Sequence, residues 1–375
     1  MTPLHTQCLV GPSPKNILPA GYLSTAVNAH SAIVKSQTPN DKIGGSDLRH
    51  RVFVTRRIPE SGLSMIEQEF DAVVWPSEEG PGKQEIIDNA KECAGIVTLL
   101  SDAIDAEVID ALPKLRVISQ YAVGYDNIDI EHATRRGILV TNTPGVLTES
   151  TADLAWALLM AASRRLVEAD GYVRRGEWRV AWGPTLLLGR DIYGATIGIV
   201  GMGRIGYAVA KRAKGFDMRI LFTSRSKTPI TRQAEELGAV RVDLETLLRE
   251  SDFVSLHVPL TKDTRHMIGR RELELMKPTA VLVNTSRGAV VDEAELIRAL
   301  ENDVIRAAGL DVFEREPLPP DSPLLQLDNV VLAPHIGSAS IETRSRMATI
   351  CARNLIAALK GEKPPHLVNP EVWKS

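Results

Sequence analysis

Cysteine is nearly absent from this chain, with only Cys8, Cys93 and Cys351 among 375 residues. Three isolated cysteines give neither a disulfide framework nor the paired spacing of a zinc site, so no disulfide-stapled fold and no metal are expected. That scarcity fits a reducing, cytoplasmic compartment, with the thiols as buried or incidental side chains. Charge of one sign is also lacking. The 44 Lys and Arg against 47 Asp and Glu leave a formal −3, with acids and bases interspersed. Such a balance gives no reason to expect nucleic acid or a membrane surface as partner. Long apolar runs are missing too: those such as Ala155–Ala162 are too short to span a bilayer, and Asp153 stands just before this one. No charged start followed by an apolar core marks a secretory signal, and no internal repeat at solenoid spacing is visible.

What is present points to an α/β protein. The length favours two domains, and 44% hydrophobic with 24% charged residues is ordinary for a globular chain. Residues 1–50, rich in Ser, Pro, Asn and Gly and without a hydrophobic period, read as a disordered extension. From Arg51 onward, short β-branched runs at Arg51–Thr55, Ala94–Leu100, Leu115–Ala122 and Gly137–Thr143 alternate with helix-like stretches such as Ser61–Phe70 and Gly82–Cys93. Ser150-Thr151-Ala152-Asp153 fits a capping box that opens a buried helix running to Leu166. An irregular arm, GEWRVAWGPTLLLGR (Gly176–Arg190), separates this series from a second one. Strands are expected in the second series at Ala195–Val200, Arg219–Thr223, Phe253–Val258, Thr279–Asn284, Ala307–Leu310 and Val330–Leu332, before a last helix over Ser340–Leu359. Strands alternating with helices imply parallel sheets.

The stretch TIGIVGMGRIG runs a strand into Gly201-x-Gly203-x-x-Gly206, and a helix over Arg204–Lys214 opens inside the motif. Glycines there permit a tight turn and close approach of backbone to a pyrophosphate, while the helix N-terminus directs free N–H groups at the anion. The next strand ends in ILFTSRSK (Ile220–Lys227), where an NAD-binding unit keeps an acid for the ribose 2′-hydroxyl. Ser224, Arg225 and Ser226 offer hydroxyl donors and a guanidinium instead, which suits a 2′-phosphate. NADP(H) is therefore the expected cofactor, with NAD(H) as the alternative.

Three later residues carry chemistry that such a cofactor needs. Arg287 follows a buried strand in LVNTSRGAVVD, Glu316 sits in GLDVFEREPLP, and His335 follows a strand in NVVLAPHIGSA. Ligands of open parallel sheets bind beyond the carboxyl ends of the strands, which draws at least Arg287 and His335 toward one crevice. Reduction of a 2-oxo acid needs a cation for the carboxylate and carbonyl, a task suited to a planar guanidinium. It also needs a proton donor for the developing alkoxide, a task suited to an imidazole. A carboxylate on the other imidazole nitrogen would hold the ring and favour its charged form. Taken singly, each residue is equally consistent with a structural role, and spacing does not show that the three meet.

The chain from Arg51 on resembles the D-2-hydroxyacid dehydrogenases, and within them the glyoxylate/hydroxypyruvate reductases. The resemblance rests on AVGYDNID (Ala122–Asp129), GMGRIG, SDFVSLHVPLT (Ser251–Thr261), NTSRGAVVDE (Asn284–Glu293), AAGLDVFEREPLP (Ala307–Pro319) and LAPHIGSAS (Leu332–Ser340), in that order. It implies two Rossmann-like parallel-sheet domains with the active site in the cleft. Residues 51–149 and 335–375 would form a discontinuous substrate domain, and 150–334 the NAD(P)-binding domain. It assigns the catalytic roles to Arg287, Glu316 and His335, and substrate contacts to Leu100, Val123, Gly124 and Arg287. Cofactor contacts fall on Thr151, Gly201, Gly203, Arg204, Ile205, Gly206, Val258, Pro259, Thr285, Asp311 and His335, beside the Ser224–Ser226 turn. His257 lies in a cofactor-lining segment, and its own side chain reads as structural. The arm at 176–190 matches the segment through which these reductases dimerise. Trp182 takes the position from which a Trp can reach the partner's substrate pocket, although packing at the interface is an equal reading and the arm is shortened.

The loop TLLSDAID (Thr98–Asp105) matches the family's substrate-facing loop and carries no Lys or Arg to neutralise a phosphate. That favours a small uncharged tail, as in glyoxylate or hydroxypyruvate, over 3-phosphoglycerate. Formate dehydrogenases resemble this pattern but carry Gln as the histidine's partner, so Glu316 speaks against formate. Other expectations from the resemblance are an NAD-dependent enzyme for a different 2-oxo acid and a nucleotide-sensing corepressor on the same fold. The basic turn and the Trp-bearing arm favour the enzyme.

Overall fold

The structure, a computed structural model, describes residues 49–225 and 227–374. Nearly all of the extension expected at residues 1–50 lies outside the described residues, as do Cys8 and Ser226.

The first series of elements comprises β1 (Arg51–Val54), α1 (Glu60–Glu69), β2 (Asp71–Val74), α2 (Lys83–Ala90) and β3 (Gly95–Thr98). It continues with α3 (Ala106–Ala111), β4 (Val117–Gln120), α4 (Ile130–Arg135) and β5 (Leu139–Thr141). The strands form one parallel sheet in the order β2-β1-β3-β4-β5. Covered on both faces, such strands read as continuous apolar runs rather than alternating ones. One face packs Phe53, Ile96 and Ile118 against α2, α3 and α4 through Ile86, Val108, Ile109 and Ala133. The other packs Val52, Val54, Val97 and Val117 against α1 and against the last helix of the chain, α12 (Ile341–Leu359), through Leu63, Met347, Cys351 and Leu355.

Between the two sheets run α5 (Thr148–Ser163) and α6 (Leu166–Arg174). The second series then opens with β6 (Thr196–Val200), α7 (Arg204–Lys214), β7 (Arg219–Thr223), α8 (Pro229–Glu236), β8 (Val240–Arg241) and α9 (Leu244–Glu250). After these come β9 (Phe253–Leu256), α10 (Arg270–Leu275), β10 (Val281–Asn284), α11 (Glu293–Glu301), β11 (Ala307–Leu310) and β12 (Val330–Leu332). This sheet is also parallel, in the order β12-β11-β10-β9-β6-β7-β8. Strand order reverses between β6 and β9 here, and between β1 and β3 in the first sheet, and crevices for ligands form at such points. The core under α5 and α7 joins Ala155, Leu159 and Val209 to Ile197, Phe253, Val281 and Ala307, with Trp156 stacked on Phe216 at 4.8 Å. Val254, Leu256, Leu282 and Leu310 face the opposite core.

Two local readings are corrected. The capping box at Ser150–Asp153 does not form: α5 begins at Thr148 without a side-chain cap, and Ser150 Oγ instead donates to the Gly337 carbonyl at 3.0 Å. Nor does the helix run unbroken to Leu166. It stops after Ser163, Arg165 takes a left-handed conformation (φ 53°), and the chain restarts as α6. Glu149 and Asp153 are spent on tertiary ion pairs, with Arg212 of α7 bonding Asp153 at 2.5 Å and Glu149 at 2.8 Å.

Candidate active site

The turn after β6 is built for a close visitor. Gly201 has φ +99°, where a side chain is strained, and a Cβ there would stand 2.7 Å from the His257 carbonyl oxygen. At Gly206 a Cβ would run into the Gly201 carbonyl, whereas one at Gly203 would meet nothing within 4 Å. The turn therefore packs tightly on its inner side and stays open at Gly203. Gly203 caps α7 without a side-chain bond, and Arg204 and Ile205 follow in a first turn that has no acid. Free N–H groups and the positive helix end remain for an anion. Val258 lies against the same turn, its Cγ1 2.8 Å from a Cβ built on Gly201, and Pro259 follows it, accepting from Thr264 Oγ1 at 2.6 Å. At the end of β7, Arg241 donates to the Ser224 carbonyl. Arg225 is exposed, and its Nη1 bonds Asp263 at 3.2 Å.

Further along the same edge stand Thr285 and Asp311, the first residues past β10 and β11. Thr285 Oγ1 is buried with no hydrogen-bond partner among the described residues. An unmet buried hydroxyl is costly, so it marks a place where a ligand's polar group is missing. With the open face at Gly203, it fits an amide-bearing dinucleotide laid across the carboxyl edge. Asp311 is buried, and burial raises its pKa despite the amides it accepts. Its carboxylate takes the N–H groups of Ile336 (2.7 Å) and Gly337 (2.8 Å), and its carbonyl that of His335 (2.9 Å). Asp311 thus holds the His335 loop in place. Thr151, in the first turn of α5, closes the same corner, because a Cβ on Gly337 would be 3.3 Å from its Cγ2.

His335, with φ 54°, turns its ring toward Glu316, whose Oε2 is 2.6 Å from Nδ1. The other oxygen, Oε1, accepts from the Phe313 amide at 3.0 Å. Burial alone would raise the Glu316 pKa. The His335 bond and charge, the Phe313 amide and the charge of Arg287 outweigh it and hold the carboxyl below its usual range. With Nδ1 committed to Glu316, Nε2 is the nitrogen left to meet a substrate.

Arg287, two residues beyond Thr285, reaches across to the first sheet. Nε and Nη2 bond Asp126 Oδ1 at 3.0 and 2.9 Å, while Nη1 donates to the Ser286 carbonyl at 2.8 Å. A Cβ on Gly124 would collide with Arg287 Nη2, so a side chain there would displace the guanidinium tip. Val123 and Gly124 are fixed through their carbonyls, which accept from Asn142 Nδ2 (2.8 Å) and Gln120 Nε2 (3.2 Å). The structure thus brings Arg287, on the carboxyl edge of the second sheet, to Val123 and Gly124 of the first, and pairs His335 with Glu316 further along the second sheet's edge. Asp126 is the site residue that the sequence reading passed over. It lies inside AVGYDNID, but its partner is 161 positions away.

The loop bearing Leu100 follows β3 at the reversal point of the first sheet. A cation does stand behind it, although none lies within it: Arg56 donates to Ser101 Oγ and bonds Asp102 Oδ1 at 3.1 Å. Buried Asp102 also accepts from Thr55 Oγ1 (2.5 Å) and the Leu99 amide (2.7 Å), which neutralises Arg56 and fixes the loop. Trp182 is 77% exposed on the arm. With Tyr172, Val173, Trp178 and Leu186 it lines an apolar hollow of about 320 Å³ that none of the cleft residues shares. Cys93 and Cys351 are buried free thiols whose pKa values burial pushes up to about 11 and about 12. Among the described residues there is no metal-binding cluster and no helix long and apolar enough to cross a membrane.

Known proteins match this arrangement. The sequence model of the D-isomer specific 2-hydroxyacid dehydrogenase NAD-binding domain matches residues 156–337. A glyoxylate reductase of Korarchaeum cryptofilum is 63% identical over 329 residues, 87% of this chain and 98% of the relative. One of Thermococcus litoralis is 57% identical over 331 residues, 88% and 99% of the two chains. The crystal structure of an NADPH-dependent glyoxylate/hydroxypyruvate reductase from Sinorhizobium meliloti, in complex with NADP and malonate, superposes with a TM-score of 0.77. It is 34% identical over 87% of this chain and 99% of that one. Two parallel-sheet domains, a dinucleotide turn and relatives of this identity lead to one assignment: the chain belongs to the D-2-hydroxyacid dehydrogenase family of NAD(P)-dependent oxidoreductases.

Proposed function

We propose that the protein reduces small 2-oxo acids, glyoxylate and hydroxypyruvate, to glycolate and D-glycerate, with NADPH preferred over NADH. The observation that carries this reading is the 2.6 Å His335–Glu316 pair on the sheet edge that also bears Arg287. The Gly201–Gly206 turn, Thr285, Asp311 and Thr151 would hold a nicotinamide dinucleotide, which supplies a hydride when bound. Arg287 binds the substrate carboxylate and polarises the carbonyl, with the backbone at Val123 and Gly124 receiving the same carboxylate. Asp126 orients the guanidinium fork. His335 delivers a proton from Nε2 to the developing alkoxide, and Glu316 stabilises the imidazolium that supplies it. Leu100, on a loop whose nearby guanidinium is already paired with Asp102, leaves room for a small uncharged tail and no free cation for a phosphate.

The cofactor preference rests on Ser224, Arg225 and Ser226, a stretch with no acid of its own, in which the exposed Arg225 would exchange its Asp263 partner for a 2′-phosphate. Residues 51–149 with 335–375 form the substrate domain in this reading, supported by the packing of α12 on the first sheet. Residues 150–334 form the dinucleotide domain. The exposed apolar arm, with Trp178 and Trp182 on its surface, suits a homodimer interface. The test is NADPH oxidation with glyoxylate, set against the His335→Gln variant. Turnover should fall by about 100-fold or more while NADPH binding persists. No turnover by the unaltered chain with any small 2-oxo acid would contradict the proposal.

A further inference from the structure

The residues just past β6, β9, β10 and β11 stand in one row. Register pairs Val200 with Leu256, Leu256 with Asn284, and Asn284 with Leu310, so Gly201, His257, Thr285 and Asp311 are lateral neighbours at the carboxyl edge. The ladder continues through this row, with the His257 amide on Val200 O at 2.8 Å and the Asp311 amide on Asn284 O at 2.9 Å. Alternation sets their direction. Phe253 belongs to the core under α5 and α7, and Val254 and Leu256 to the opposite one, which puts Ser255 and His257 on the α5 side. Val281 and Val283 do the same for Thr285.

The imidazole of His257 is anchored at one nitrogen, with Nε2 2.8 Å from Ser255 Oγ. Nδ1 is buried and has no partner among the described residues, and neither has Thr285 Oγ1 next to it in the row. Two adjacent unpartnered polar atoms on one face at a ligand-bearing edge are the complement of a ligand's own polar groups. Burial lowers the His257 pKa to about 4, so the ring is neutral in ordinary buffers and offers one donor and one acceptor nitrogen.

We propose that His257 Nδ1 is a ligand for the ribose of the nicotinamide half of the dinucleotide. The inference rests on the reading that a dinucleotide binds at the Gly201–Gly206 turn. On that reading the turn takes the pyrophosphate, and Thr285 with Asp311 faces the carboxamide. β9 lies between β6 and β10, so His257 stands between these two subsites. The group that links a pyrophosphate to a nicotinamide ring is a ribose, and its hydroxyls can donate to or accept from a neutral imidazole nitrogen. The ring is therefore more than filler beneath the turn: it adds a contact on the reactive side of the cofactor.

The test is fluorescence and calorimetric titration with NADPH and with adenosine 2′,5′-bisphosphate, a fragment that lacks the nicotinamide ribose. His257→Ala should weaken NADPH binding about 3- to 10-fold and leave the fragment within about twofold, as expected for one hydrogen bond. His257→Asn, which keeps a polar atom near Nδ1, should recover most of the loss. In the unaltered protein, the His257 Nδ1 resonance of nitrogen-15-labelled histidine should move with NADPH and stay put with the fragment. Equal weakening of both ligands, or a resonance that ignores NADPH, would overturn the proposal. Failure of the unaltered chain to bind NADPH at all would instead refute the dinucleotide reading beneath it.

Discussion

Replacing Glu316 with Gln removes one charge from the pair at the centre of the site and keeps its shape. Glu316 makes two bonds, accepting from the Phe313 amide at 3.0 Å through Oε1 and meeting His335 Nδ1 at 2.6 Å through Oε2. A glutamine has one acceptor oxygen, so it serves one partner and turns an NH2 group on the other. A hydrogen bond to a charged group is worth about 1.5–3 kcal/mol, or about 10- to 150-fold in rate. Glu316 is 36% exposed, and solvent screening favours the lower part of that range, about 10- to 30-fold in kcat/KM. The pH profile is the sharper readout. As pH falls, protonation of Glu316 should depress reduction by the unaltered enzyme, and the Gln variant, with no carboxyl to protonate, should lack that acid limb. Stability should respond in the same sense. Glu316 titrates below its usual range in the fold, so its contribution is present above the unfolded carboxylate pKa and fades as pH falls through the folded one. Acid unfolding of the Gln variant should lack that component. The assays are kcat/KM for glyoxylate against pH and equilibrium unfolding against pH. A loss under twofold with a superimposable profile would refute the assigned partnership.

Other perturbations separate the remaining roles. Arg225→Asp should cut the NADPH-to-NADH ratio of kcat/KM by about tenfold or invert it; an unchanged ratio would show that Arg225 does not read the 2′-phosphate. In Gly206→Ala the new methyl meets the Gly201 carbonyl, a backbone group with little freedom to retreat. Overpacking of that kind costs about 1–3 kcal/mol, so NADPH titration should show affinity about tenfold weaker or worse, and ordinary binding would count against the turn. Asp126→Asn should raise KM for the 2-oxo acid about 3- to 10-fold, as expected for losing a charge-assisted bond that aims Arg287, with little change in KM for the cofactor. Equal changes in both constants would mean that Asp126 only supports the fold.

The second sheet was easier to read from sequence than the details that surround it. β7, β11 and β12 fall where short apolar runs end in Ser, Asp or Ala, and α7 spans the stretch expected from the glycine motif. β2 and β8 went unnoticed because each sits at a sheet edge. DAVV is only partly buried and β8 has two residues, so neither carries a full hydrophobic pattern. The capping signal at Ser150 was real in composition and lost to a tertiary bond with Gly337, the kind of local rule that an active-site corner overrides. Arg287 and His335 were legible as residue types just past strands, and Glu316 as a carboxylate in the loop after β11. Their geometry was not, since Asp126 with Arg287, and Arg56 with Asp102, join loops that no spacing rule connects.

The most direct test of the central claim is a kcat/KM panel for glyoxylate, hydroxypyruvate, pyruvate and a bulkier oxo acid, each with NADPH and with NADH. Glyoxylate and hydroxypyruvate with NADPH should lead, with the bulkier acid last because the Leu100 loop is fixed in place by the Arg56–Asp102 bond. A bulky or phosphorylated acid turning over best, or NADH outperforming NADPH across the panel, would contradict it.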